Sequence, residues 1–144
     1  MSAVPDAAFT PERREALRGL VDVLFPAGGD MPGGLEVDVH GRWFDRAMAA
    51  RPDLVPELVR VLDGARGVDP QAEIMRLQKE DKAGFSTLAL VVAGAYYMGP
   101  KVRKRLSYPG PKADPPYPDE SDYWLRDGVL DPVKARGPIF RDAT

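Results

Sequence analysis

The chain has 144 residues, room for one compact domain but not comfortably for two. Charged residues make up 29% and the net charge is -2, so no excess of either sign recommends nucleic acid, an anionic membrane or an acidic substrate as the main partner. Cysteine is missing from the composition, which excludes disulfides, thiolate nucleophiles and cysteine metal sites together.

The N-terminal stretch MSAVPDAAFTPERREAL has neither an apolar signal core nor a twin-arginine leader, and as written the chain is expected in the cytoplasm. Thr10-Pro11-Glu12 reads as an N-cap, a proline at the first helical position and an acid in the first turn. Ala16, Leu17, Leu20, Val21 and Leu24 then form one apolar stripe, so a first helix should pack a single face on the core and stop at Phe25-Pro26. The glycines and prolines of AGGDMPGG, residues 27–34, favour turns. No Lys-Ser or Lys-Thr pair follows and no strand precedes, so neither the P-loop nor the dinucleotide fingerprint is met, and phosphate binding by this loop is not expected.

From Leu35 the pattern Val37, His40, Gly41, Phe44, Ala47, Met48 predicts a second helix with Trp43 on or beside its apolar face, broken at Arg51-Pro52-Asp53. A third helix carries Leu54, Leu58, Val61 and Leu62 and should end near Asp63-Gly64. Asp69-Pro70 repeats the cap-plus-proline start, with Ile74, Met75 and Leu77 as the apolar side of a fourth helix. The charged group Lys79, Glu80, Asp81, Lys82 is expected as a loop or exposed turn before the central run. Between Phe85 and Met98 nearly every residue is apolar, and a helix apolar all round belongs at the centre of a bundle or against another protein. It would extend roughly 21 Å, short of the ~30 Å of bilayer hydrocarbon, so direct membrane insertion is not expected. Gly99-Pro100 ends it, and Lys101, Arg103, Lys104 and Arg105 follow as a solvated basic face on a short helical turn.

Residues 107–144 are a different kind of sequence. Seven of the fifteen prolines lie there, which excludes long helices, yet the segment is rich in Tyr, Trp, Leu, Val, Ile and Phe. Ordering it costs on the order of 1 kcal/mol per residue, while each buried anchor returns roughly 1.5–3 kcal/mol. Those terms balance only if nearly every anchor is covered by something large, and a partner protein is the favoured cover. The expected architecture is therefore all-α: a helical domain over residues 1–106, about five helices around a central apolar helix, with an extended proline-rich C-terminal arm over 107–144.

Candidate chemistry is thin. His40 is the only histidine, which removes HExxH and paired-histidine metal sites. None of Ser2, Ser86, Ser107 or Ser121 sits in a nucleophile-elbow context. Asp38, Asp45, Asp119, Glu120 and Asp122 fall where caps and turns commonly use carboxylates, although spacing leaves a hydrolytic pair open. Tyr96-Tyr97 reads as core packing rather than a cofactor box. A helix-turn-helix DNA reader lacks both the basic balance and a recognition helix after the basic cluster.

At Leu24-Phe25-Pro26 with the glycine-rich turn, and above all at GAYYMGPKVRKRLSYPG, the chain resembles the gluconate 2-dehydrogenase small-subunit family, the third subunit of bacterial flavin-dependent sugar and polyol dehydrogenases. The most specific part is Tyr96-Tyr97, the turn with Pro100 and Val102, then Tyr108-Pro109-Gly110; Ser107 stands where the family would have glycine. The resemblance implies a helical, non-catalytic accessory subunit without a cofactor or metal of its own. It would bind a large FAD-containing oxidoreductase of the glucose-methanol-choline type, with a cytochrome subunit as an optional third member. The family's export role would call for a leader; a trimmed leader would place the chain in the periplasm. Aromatic and arginine residues dominate protein interfaces, so Tyr108, Pro109, Tyr117, Tyr123, Trp124, Arg126, Arg136 and Phe140 are the expected partner contacts. The rival expectations are a stand-alone small enzyme or ligand-binding protein with a pocket beside the glycine-rich loop, and a transient folding or export chaperone.

Overall fold

A computed structural model of the chain describes residues 8–113 and 127–138. The chain divides into two compact units, Met1–Pro109 and Gly110–Thr144. The fold is all-α, and no β-strand occurs among the described residues.

In the first unit, α1 (Pro11–Leu24) starts as its cap signal predicts, with the Thr10 side chain accepting from the Arg13 N–H. Leu17, Leu20 and Val21 are buried, while its water-facing positions include Glu12, Glu15, Arg18 and Asp22. The predicted second helix is corrected. Leu35–Asp38 are turns, a π-helical turn spans Val39–Trp43, and only then does α2 (Phe44–Ala50) begin. The cause is local: Asp38 sits in the left-handed region (φ 59), its carboxylate accepts from the Arg42 N–H, and Gly41 leaves helical geometry (φ -109, ψ -113). Apolar spacing alone does not register such a break. A 3-10 turn, Pro52–Leu54, leads into α3 (Val55–Ala65), which ends one residue past the expected Asp63-Gly64.

α4 (Pro70–Glu80) is capped by Asp69 and buries Ile74 and Leu77. Met75, expected on its apolar side, is exposed, and the buried position is taken by Glu73, whose carboxylate is held by Arg76 at 2.7 and 2.9 Å. The expected loop at Lys79–Lys82 shrinks to Asp81, whose side chain accepts from the Gly84 N–H at 3.0 Å and opens α5 (Lys82–Met98). α6 (Pro100–Arg105) follows at once.

α5 packs against α2, α3, α4, α6 and the π-helical turn, which makes it the central helix of this unit. Leu88, Val91, Val92 and Ala95 face Leu58, Leu62, Phe44, Met48 and Leu77 in one continuous core. α1 closes the bundle against α3 and α4. There Arg13 forks onto both oxygens of Asp63 at 2.9 and 2.7 Å, and its third donor reaches the Ala8 carbonyl at 2.7 Å. In the second unit the described residues hold one short helix, α7 (Asp131–Arg136), with Val129 and Val133 exposed.

Candidate functional site

The apolar run expected at the centre of a bundle or against another protein is central in this unit, but its neighbours do not cover it all round. Gly84, Leu88, Val91, Val92, Ala95 and Tyr96 are buried, but Ala83, Ser86, Leu90, Gly94 and Tyr97 face water at spacings of three and four, with Leu90 56% and Tyr97 54% exposed. A single exposed leucine means little. Here the face from Ala83 to Tyr97 carries no charge in a chain that is 29% charged, the exposed Lys82 standing only at the first position of the helix, whereas the outer face of α1 carries Glu12, Glu15, Arg18 and Asp22. Gly94 has open space above it, so the ridges at Leu90 and Tyr97 flank a low point.

Beyond Gly99 the chain makes a tight exit. Ser107 has φ 52; its N–H donates to the Lys104 carbonyl at 3.1 Å and the Tyr108 N–H to the Arg103 carbonyl at 2.9 Å. This pair of bonds is the Schellman termination of α6, normally built with glycine at the left-handed position. It brings the Tyr108 ring under the Arg103 guanidinium, 5.5 Å from the centroid, and leaves Leu106 and Tyr108 half exposed.

The glycine-rich turn lies beside α6. Gly28 and Met31 exchange backbone hydrogen bonds (3.3 and 3.1 Å), closing the turn on itself. The Tyr96 hydroxyl donates to the Pro32 carbonyl at 2.7 Å while its ring stacks on Phe25, so the turn is tied to the core helix. Burial pushes the Tyr96 hydroxyl up from its ordinary pKa. Residues Ala27–Pro32 and Glu36 on one side, with Lys101, Lys104 and Arg105 on the other, line an open cleft of about 810 Å³. Glu36 holds Lys101 at 3.3 Å.

Of the sequence-predicted contact residues, Tyr108 and Pro109 are exposed at the end of the first unit and Arg136 is exposed in the last turn of α7. Tyr117, Tyr123, Trp124, Arg126 and Phe140 lie outside the described residues. The α5 face was missed because composition shows only that a helix is apolar, not how much of its circumference neighbours cover. Among candidate chemical groups, Asp38 caps the Arg42 N–H and Asp45 pairs with Arg14 at 2.8 Å. His40 Nδ1 is buried without a hydrogen-bond partner among the described residues. No group of three or more His, Asp or Glu side chains that could hold a metal ion occurs among them, and no described helix is long and apolar enough to cross a membrane. No protein family, curated protein or solved structure matches the chain.

Proposed function

We propose that this chain is a non-catalytic accessory subunit that binds and stabilises the FAD-containing catalytic subunit of a sugar, glycoside or polyol oxidoreductase of the glucose-methanol-choline type. The identity of the partner rests on the resemblance of GAYYMGPKVRKRLSYPG to the gluconate 2-dehydrogenase small subunits. The observation that carries a binding role is the outer face of α5 beyond Lys82, uncharged from Ala83 to Tyr97, where Leu90 and Tyr97 stand half exposed on the most apolar of the described helices. Full burial of such a side chain is worth roughly 1.5–3 kcal/mol, and tyrosine is a preferred interface anchor. Tyr108 with Arg103, at the Schellman turn, supplies the same residue types. FAD and the alcohol-oxidising step belong to the partner in this reading.

Co-expression with an FAD-binding oxidoreductase of the glucose-methanol-choline type, followed by size-exclusion chromatography, tests it. A stable complex that Leu90→Arg weakens by tenfold or more, about 1.4 kcal/mol or above, is the expected result. Circular dichroism of the variant should match the parent, because position 90 points away from the core. Failure of the parent chain to co-elute sinks the reading. The cleft beside the glycine-rich turn favours a second reading, a stand-alone ligand-binding protein, for which a small molecule retained by the isolated chain would speak.

A further inference from the structure

We propose that the cleft between the Ala27–Pro32 turn and α6 is a binding site for a small phosphate-bearing anion, whether or not the chain works as an accessory subunit. Four cations, Lys101, Arg103, Lys104 and Arg105, crowd into five consecutive positions of α6. Lys101 is neutralised by Glu36 and Arg103 lies over Tyr108, but Lys104 and Arg105 have no acidic partner among the described residues, and both line the cleft. Cations at a helix C-terminus gain a little from the helix dipole, yet like charges this close repel by a similar amount. The arrangement therefore holds a surplus of positive charge that an anion in the cleft would relieve.

The facing wall supplies matching donors. Gly29 takes a left-handed conformation (φ 56) that lets the turn double back, and Gly28 and Met31 satisfy each other. The N–H groups of Gly29 and Asp30 are left without an acceptor among the described residues, and both residues line the cleft. Tyr96 pins Pro32, so this wall is preset rather than assembled on binding. A phosphate monoester brings nearly two negative charges and three acceptor oxygens, enough to use both a guanidinium and an ammonium together with backbone donors. A lone carboxylate offers fewer acceptors and half the charge. Asp30 opposes the anion with its own charge and sets a limit on affinity, which gives the site a signature.

The test uses the full chain at fixed ionic strength, with inorganic phosphate and phenyl phosphate as probes. Amide chemical shifts should move saturably at residues 28–30 and 101–105, with a dissociation constant of about 1 mM or tighter for at least one probe. The double variant Lys104→Ala/Arg105→Ala should weaken binding about tenfold or more, and Asp30→Asn should tighten it about threefold by removing the opposing charge. Tighter binding of phenyl phosphate than of phosphate would mark an esterified ligand, and the reverse would mark the free ion. No saturable shift at these residues sinks the proposal, as does an unchanged affinity in Asp30→Asn. A hexaglutamate peptide that binds where both phosphates fail would assign the cleft to an acidic protein segment and overturn it too.

Discussion

Single side chains set the two turns that frame the surface. Ser107 holds the left-handed position of the α6 termination at φ 52, a conformation that costs a non-glycine residue roughly 1 kcal/mol or more. Ser107→Gly should therefore stabilise the domain by up to about 1 kcal/mol, read as a rise of a few degrees in Tm, while the Tyr108 contact with Arg103 persists. No change, or a fall, would mean that the serine side chain compensates for its backbone. At the other end of α5, Asp81 accepts from the Gly84 N–H and from Arg60 at 2.7 Å, and these two bonds, the backbone one first, hold its carboxyl below the ordinary value of 3.8. A depressed carboxyl contributes stability that is complete above its unfolded pKa and lost as pH falls through its folded one. Thermal stability should thus decline as pH drops through and below 3.8, and Asp81→Asn, which keeps an oxygen for Gly84, should show a flatter acid limb. Parallel curves for the two proteins would refute that assignment.

Among the elements, those with end signals were legible. Thr10-Pro11 and Asp69-Pro70 start α1 and α4 where the chain says, because a cap oxygen and a proline need only their own neighbours. What could not be read depends on distant or backbone-specific contacts. The kink at Gly41 follows from the conformation of Asp38, the exposure of Met75 from which face of α4 meets α1 and α5, and the cleft from a turn meeting a helix about 70 residues away. The α1–α4 crossing is likewise invisible in the sequence, yet it is tight: a Cβ at Gly19 would lie 2.7 Å from Cγ of Pro70. Gly19→Ala gains up to about 1 kcal/mol of helix propensity but forces the two helices apart at a typical cost of about 1–3 kcal/mol. The expected net result is destabilisation, seen as a lower urea midpoint; an unchanged or higher midpoint would show that the crossing yields freely.

At the scale of the molecule, the first unit encloses only part of its most apolar helix, and the proposed role as a subunit follows from the remainder. One rearrangement would hide these side chains within the unit itself: α5 could roll about its axis and turn Leu90 and Tyr97 inward. A shift of one residue is a rotation of about 100°. That rotation would pull the Tyr96 phenol off Pro32 and unstack it from Phe25, take Gly84 away from its cap at Asp81, and drive Leu88 and Val92 into solvent. The buried tyrosine thus acts as a locking pin for its outward neighbour: within the first unit, no turn of this helix tucks Leu90 and Tyr97 inward without undoing the contacts that hold it.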